Sequence, residues 1–532
     1  MTERSGWRMP GRRPNFLLFV TDQHRADHLG CEGDALVRTP HIDALAGEGA
    51  RFAQFHVATP ICQPNRASLM TGRLPSAHGV QMNGRELSHA ELTFVEQLRA
   101  AGWRTGLAGK AHLQNITDVP ARWPAPHERL PQEARRVHPG HYGQERASRW
   151  AEEGVELTLP YYGFEQVALT IGHADEQQGH WRRWLRQQVP EAERLIGPDN
   201  AIPTAGLALG ALRQAWRTRL PEELYPTAYI AGQACGMLRQ YAEQDQPFFL
   251  QCSFPDPHHP FTPPGRYWDL FRPEDMPLPA SFDARLHDAP PAIAWLRAQR
   301  QASPGFKPGY GAFACTPQEA REALALNHGS LACIDDGVGR VMAELRALGL
   351  DRDTVVLFTA DHGELLGERG LMFKGGLHYS ALTRVPFIWR DPARPQAQVI
   401  QALAQTTDIA ATVLARAGLQ APNGMHGRSL LPVMDGQPAV REALLMEEES
   451  QRADFGMDRR VRMRTLRDHR HRLTFYDGQD WGELYDLQAD PLELHNLWNE
   501  PSARAVRGEL MERLARAMLE ATDTSPYPSA SA

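Results

Sequence analysis

Lysine is almost missing from this chain. Of 57 basic residues only three are lysines, Lys110, Lys307 and Lys374. Arginine fills nearly every place where a surface cation would serve, so each lysine marks a position that a planar, permanently charged fork does not fill. Long apolar runs are missing too, and nothing approaches the roughly eighteen residues that would span a bilayer. Near the start, Phe16 to Val20 is a run of five apolar residues, too short for the core of a secretory signal, so a cytoplasmic protein is expected. The six cysteines (Cys31, Cys62, Cys235, Cys252, Cys315 and Cys333) are scattered without a CxxC pair, which excludes a disulfide framework or a cysteine-based zinc site. No excess of positive charge exists either. With 57 basic and 64 acidic residues the net charge is −7, so neither nucleic acid nor a membrane surface is an expected partner.

What is there reads as a globular protein. Hydrophobic residues make up 42% and charged residues 23% of the 532 positions, close to ordinary usage. The length suggests about three to four units, read here as two or three because large α/β domains run long. Phe16-Leu-Leu-Phe-Val20 is the continuous apolar run of a strand buried on both faces, ending at Thr21-Asp22-Gln23. A helical stretch follows at 41–49, and after a Pro/Cys-bearing loop a second helix is expected to continue through Ala67–Thr71. Further strands are expected at 105–108, 248–252, 355–359 and 385–389, with helices between, notably over 323–348. That alternation predicts an α/β fold with a mostly parallel sheet covered on both faces. Ligands of such sheets bind beyond the carboxyl ends of the strands, where Asp22, Lys110, His112, His258, Asp361 and His362 fall.

The organisation that follows has an N-terminal extension at 1–13 and a large α/β domain at 14–435. Within it the motif-poor stretch 115–245 reads as insertions and loops near the sheet edge. A small α+β subdomain at 436–521 carries strands near 474–476 and 483–487 and a helix over 502–520, and a Ser/Pro/Ala tail at 522–532 is expected to be disordered. Glu447-Glu448-Glu449 reads as a solvated or strand-end charge run, and the Met and Trp residues between 123 and 216 as core.

Chemistry concentrates in one segment, Cys62-Gln63-Pro64-Asn65-Arg66-Ala67-Ser68, followed by Leu69-Met-Thr-Gly-Arg73. Supporting elements are Thr39-Pro-His-Ile-Asp43, Gly109-Lys-Ala-His112, Pro257-His-His-Pro-Phe261, Thr359-Ala-Asp-His-Gly-Glu364, and Glu483-Leu-Tyr-Asp-Leu487 with Asp490-Pro491. A lone C-x-P-x-R arises by chance; six elements in one order do not. The chain resembles the sulfatase family, the formylglycine-dependent type I enzymes of the alkaline phosphatase superfamily, over almost its full length. The resemblance implies an alkaline-phosphatase-like large mixed, mostly parallel sheet flanked by helices, with a smaller C-terminal α+β domain. It also implies that a formylglycine-generating or equivalent maturation enzyme oxidises Cys62 to an aldehyde, which hydrates to a geminal diol. One hydroxyl, activated by a metal, attacks sulfur or phosphorus, and the other lets the covalent intermediate collapse. Cysteine is most often a plain buried thiol, but Pro64 and Arg66 at the family's offsets argue against that here.

The metal site has a charge argument of its own. Asp22 and Asp361 are carboxylates at strand ends, and two such charges packed together repel unless a cation lies between them. His362 offers a nitrogen and Gln23 an amide oxygen. Alone, either aspartate reads equally well as a helix cap. By resemblance Cys62, once oxidised, completes the set in a variant class, Asp-Gln with Asp-His, shared with choline-sulfatase-like enzymes and phosphonate monoester hydrolases. One divalent ion is expected: oxygen ligands favour Ca2+, while the imidazole moves preference toward Mn2+.

The resemblance further implies that Arg66 and Lys110 hold the diol and that His112 bonds to it and removes the proton that triggers collapse. Lys374 and His258 contact sulfate oxygens, one of them protonating the departing oxygen, and Asn83 binds another such oxygen. His259 is expected to be structural. The expected reaction is hydrolysis of a small anionic sulfate monoester at its S–O bond, as in an arylsulfatase. The rival is a phosphonate monoester or phosphodiester hydrolase, whose family members carry uncharged hydroxyl side chains where this chain has Lys110 and His112. An inactive sulfo-ligand binder would require a lost critical group, and none is missing. A homo-oligomer is compatible with the sequence.

Overall fold

The computed structural model describes residues 13–152, 154–307, 311–453 and 455–531. The expected N-terminal extension lies, but for its last residue, outside the described residues. Nine strands form the main sheet: β1 (Asn15–Thr21), β2 (Ala50–Phe52), β3 (Arg104–Gly109), β4 (Gln166–Ile171), β5 (Gln178–Gly179), β6 (Phe248–Phe254), β7 (Thr354–Ala360), β8 (Phe387–Arg390) and β9 (Gln398–Ile400). Their spatial order is β9-β2-β8-β7-β1-β6-β3-β4-β5. The five central strands β7, β1, β6, β3 and β4 pair in parallel, while β8 runs antiparallel to β7 and β2, and β5 antiparallel to β4. The sheet is therefore mixed and mostly parallel.

Strand β1 shows why. All seven of its residues are buried, and successive side chains alternate faces. Phe16, Leu18 and Val20 pack with Ala67, Leu69 and Met70 of α2 (Cys62–Thr71) on one side. Leu17 and Phe19 pack on the other with Ile42 of α1 (Pro40–Gly47) and with Ile230, Leu238, Ile334 and Val341 of α3 (Pro226–Ala242) and α4 (Pro317–Ala347). Helices on both faces leave no solvated side, so the strand reads as unbroken apolar sequence.

Four antiparallel strands, β10 (Leu444–Glu449), β11 (Arg462–Arg467), β12 (His471–Tyr476) and β13 (Gly482–Asp486), form a second, smaller sheet. Helix α5 (Arg504–Glu520) packs Leu510 and Leu514 against its Leu445, Leu466 and Leu473. After α5 the chain carries no further helix or strand among the described residues; Asp523 pairs with Arg73 at 2.6 Å and Asn423 Nδ2 donates to the Thr524 carbonyl at 2.8 Å. No helix among the described residues is long and apolar enough to cross a membrane.

Three sequence expectations change. Helix α2 begins at Cys62 rather than near Ala67, because Pro64 sits in a first turn whose N–H groups lack helical partners anyway. The stretch 115–245 is not only loops: it contributes β4, the edge strand β5 and the 17-residue α3. Glu447, Glu448 and Glu449 end a strand but are buried, not solvated. Each has partners: Ser76 for Glu447, Gly376 N–H and His378 for Glu448, Arg460 for Glu449.

Candidate active site

Five parallel strands end at one edge of the sheet, and each releases a polar residue there. Asp22 follows β1, Lys110 follows β3, His173 lies two residues beyond β4, His258 follows β6, and Asp361-His362 follow β7. Gly109 makes the exit to Lys110 possible, since at φ +112 a Cβ would fall on the Ser253 carbonyl oxygen. Cys62 arrives from the first residue of α2, so its sulfur stands at the positive end of a ten-residue helix. Arg66, one turn on, shares its face.

Arg66 links the acids. Its Nε donates to Asp361 Oδ2 at 2.8 Å, its Nη2 reaches Asp22 Oδ2 at 3.4 Å, and its Nη1 donates to Ser253 Oγ at 2.9 Å. Lys110 Nζ also donates to Asp22 Oδ2. The like-charge argument for a metal is thereby weakened, because Arg66 itself lies between the two carboxylates. The donor geometry is the better evidence. With the Oδ2 atoms held by cations, both Oδ1 atoms face inward: each lies 3.5 Å from His362 Nε2, and that of Asp22 lies 3.7 Å from Cys62 Sγ. Donor atoms of Asp22, Cys62, Asp361 and His362 fall within 4.8 Å of one another, all four residues buried. Gln23 adds an oxygen on the same side, and Lys374 Nζ marks the convergence. It lies 3.0 Å from Gln23 Oε1, 2.9 Å from Cys62 Sγ, 2.7 Å from His362 Nε2 and 3.2 Å from His258 Nε2. Two carboxylate oxygens, an amide oxygen, an imidazole and the position-62 side chain suit one divalent cation.

Supporting contacts fix these atoms. Gln23 and His112 both hold a left-handed backbone, φ 61 and 54, uncommon for residues with a side chain. Gln23 N–H donates to Asp361 Oδ1 at 3.1 Å, and its side-chain amide is gripped by Glu364 and by His259 at 2.9 Å. His259, expected to be structural, orients Gln23. For His112 the support is Glu145, a buried carboxylate that accepts the N–H groups of His112, Leu113 and Gln114 at 2.7, 2.8 and 2.9 Å and the Tyr161 hydroxyl at 2.5 Å. Among the described residues the buried His112 Nδ1 has no hydrogen-bond partner. Asn83 stands apart. It is exposed, and its Oδ1 accepts Gln63 N–H at 3.2 Å, so it caps the first turn of α2 rather than joining the buried cluster.

Charge shapes the site. Burial and Asp22 oppose ionisation of the Cys62 thiol, but Lys374, His362 and Lys110 outweigh them and hold its pKa below the ordinary thiol value. Burial also opposes the Asp22 carboxylate; Lys110, His258, His173 and Arg66 overcome it and keep Asp22 ionised. His112 and His258 are driven well below the usual imidazole value, first by burial and then by Lys110 and Arg66 for His112 and by His173, His259 and Lys374 for His258. The result is a buried cluster of cations and ionised acids with neutral imidazoles beside it.

Sequence reasoning missed His173. Its ring stacks on His258 with centroids 3.6 Å apart and planes 11° apart, and its Nε2 lies 2.7 Å from Lys110 Nζ. The signal was present: Val167-Ala-Leu-Thr-Ile171 is a short apolar run ending one residue before Gly172-His173, but it lies in a segment read as loops.

Comparison with known proteins agrees with this architecture. The sulfatase family profile matches residues 14–127 and 173–419, and a profile described as N-sulphoglucosamine sulphohydrolase, C-terminal, matches 367–520. An arylsulfatase of Clostridium perfringens is 27% identical over 500 residues, 92% of this chain and 90% of that protein. A choline-sulfatase of Rhizobium meliloti is 26% identical, over 92% of this chain and 83% of its own length. The crystal structure of a phosphonate monoester hydrolase of Agrobacterium radiobacter superposes with a TM-score of 0.74 at 26% identity, covering 96% of this chain and 97% of that one. A buried C-x-P-x-R helix start facing two strand-end aspartates, within a profile match that takes in most of the chain, makes this protein a member of the sulfatase family and a sulfatase enzyme.

Proposed function

We propose that the chain hydrolyses small sulfate monoesters at the S–O bond, with position 62 as nucleophile after oxidation of Cys62 to formylglycine by a maturation enzyme. The observation that carries this reading is Cys62 itself, buried at the start of α2 with Lys374 Nζ 2.9 Å and His362 Nε2 3.1 Å from its sulfur. Asp22, Gln23, Asp361 and His362 would hold one divalent ion, Ca2+ or Mn2+, beside it. The ion, when bound there, would supply the acidity that makes a hydroxyl of the hydrated aldehyde nucleophilic.

The remaining work falls to the chain's own side chains. Arg66 and Lys110 neutralise Asp22 and Asp361 and hold the position-62 oxygens in line. His112, neutral and with a free buried nitrogen, is set to take a proton at position 62. Lys374 and His258 bind the ester's anionic oxygens, and the Lys374 ammonium, which Asp22 and Asp361 keep charged against burial once position 62 no longer carries a thiolate, is the proton donor to the departing oxygen. Asn83 reaches the substrate only indirectly, through the α2 start it caps.

A second reading, phosphonate monoester or phosphodiester hydrolysis, is favoured by the likeness to the Agrobacterium enzyme. Lys110 and His112 weigh against it, since both charged or ionisable groups are retained. Turnover of 4-nitrophenyl sulfate and of a phenylphosphonate ester by the matured enzyme separates the two. A large excess for the sulfate is expected, and a large excess for the phosphonate overturns the assignment. Intact-mass analysis of the Cys62 peptide from a host with the maturation machinery is expected to show a loss of about 18 Da.

A further inference from the structure

Outside the catalytic cluster, His287, His495 and Glu500 meet at the surface seam between the large unit and the C-terminal unit. We propose that these three residues form a second, structural metal site for a borderline divalent cation such as Zn2+.

The backbone sets the register. His287 N–H donates to the Leu494 carbonyl at 2.9 Å and Asn496 N–H donates to the His287 carbonyl at 3.0 Å, so His287 and His495 form a parallel bridge. Across it the two imidazoles stand with centroids 4.2 Å apart and planes at 66°. Glu500 closes the triangle, its Oε1 lying 3.5 Å from His495 Nε2 and 4.0 Å from His287 Nδ1. Donor atoms of the three residues lie within 4.8 Å of one another.

These spacings suit the chemistry. Zinc bonds nitrogen and carboxylate oxygen at about 2.0–2.2 Å in a tetrahedron, which puts neighbouring donors roughly 3.3–3.6 Å apart. Of the three separations, His495–Glu500 at 3.5 Å already falls there. The other two, 4.0 Å for His287–Glu500 and within 4.8 Å for His287–His495, close by rotation of the exposed His287 and His495 side chains, 56% and 48% accessible. Two imidazoles with a carboxylate select zinc-like ions over calcium or magnesium, which prefer oxygen. The fourth position faces solvent and would be taken by water.

The site also has a purpose in the fold. His287 belongs to the segment before the helix Pro291–Ala302, whereas His495 and Glu500 lie between β13 and α5. The same seam is crossed by Asn496 Nδ2 donating to the Asp288 carbonyl at 3.0 Å and by Asn499 Nδ2 donating to Asp288 Oδ2 at 2.8 Å. An ion here would staple the two units and stabilise the native state by mass action.

Calorimetric titration of the full chain with Zn2+, its catalytic site first saturated with Ca2+ or Mn2+, tests the assignment against a His287→Ala/His495→Ala variant. The wild type is expected to bind one equivalent more than the variant, and Glu500→Gln to weaken that equivalent about tenfold or more. Saturating Zn2+ should raise the wild-type Tm more than the variant's. Co2+ should give the visible bands of a tetrahedral site only in the wild type. Turnover of a sulfate ester without added zinc should be the same in all three proteins. Equal stoichiometry in wild type and double variant, or a wild-type affinity weaker than about 1 mM, would overturn the proposal and leave the catalytic reading untouched.

Discussion

Two of the three lysines sit where only a compact ammonium fits. Lys110 and Lys374 are buried at the catalytic cluster, and Lys307 lies 5.6 Å from the ring of Phe373, beside Lys374. A guanidinium at 374 could not keep four partners within 3.2 Å of one nitrogen. Lys374→Arg should therefore lower kcat by about a hundredfold or more at unchanged Tm, despite the kept charge; wild-type activity would remove Lys374 from the mechanism. Cys62→Ala should abolish turnover and leave the circular dichroism spectrum intact. Glu145 acts one step back, through the backbone of His112. Glu145→Gln should reduce kcat about tenfold or more with little change in KM, because the neutral amide cannot accept four donors as a carboxylate does. A double-mutant cycle decides whether this is positioning: with His112→Ala already present, Glu145→Gln should cost almost nothing further in rate. Additive losses would mean a structural role alone. Catalytic-cluster residues were legible where they abut the motifs, as Asp361 and His362 do. Glu145 and His173 were not, because a lone Glu or His in motif-free sequence carries no periodicity to mark it, and its importance arises from contacts across the fold.

At the level of elements, the strands most readable from sequence were those buried on both faces: β1 and β7 carry the continuous apolar runs Phe16–Val20 and Val355–Phe358, and β6 stays buried throughout although Gln251 and Ser253 interrupt its apolar residues. Strand β4, next to the sheet's edge, and helix α3 were hidden by polar neighbours and, in α3, by Gly232 and Gly236, which dilute the helical pattern. The buried glutamates of β10 misled for a different reason, since composition suggests solvent and only the partners crossing from other elements make burial tolerable. The turn after β7 shows how an element aims chemistry. Gly363 follows the paired Asp361-His362, its N–H donating to the Leu382 carbonyl at 2.8 Å, and a Cβ there would fall on the Ala381 carbonyl oxygen. Since backbone cannot yield as a side-chain tip can, Gly363→Ala must displace the loop that carries Asp361 and His362. The expected result is a fall of about 2 kcal/mol or more in unfolding free energy, together with weakened binding of the catalytic metal by calorimetry. Unchanged metal affinity would show that the two residues are positioned independently of that approach.

The whole molecule is joined across its two units by a buried ionic knot as well as by apolar contact. Arg472 of β12 is fully buried, its Nη2 2.9 Å from Glu483 Oε2 and its Nε 2.5 Å from Glu493 Oε1, while Glu493 Oε2 accepts Ser380 N–H at 2.9 Å from the large unit. Burial alone would raise the Glu493 pKa; Arg472, Arg369 and Arg467 overcome it and pull it from 4.5 to about 2. The sign follows from linkage. A carboxyl group whose native pKa is depressed contributes stability that is fully present above its unfolded value and is lost as pH falls through its native value. Here the contribution is about 3 kcal/mol at neutral pH, vanishing between roughly pH 4.5 and pH 2. Glu493→Gln should therefore be markedly less stable than wild type at pH 7, measured by urea unfolding, because Arg472 loses one of its two carboxylates within a closed interior. The gap should narrow at pH 4 and nearly close by pH 2.5, when the wild-type carboxyl is itself protonating. A gap that stays constant from pH 7 to pH 2.5 would show that Glu493 acts through shape rather than charge.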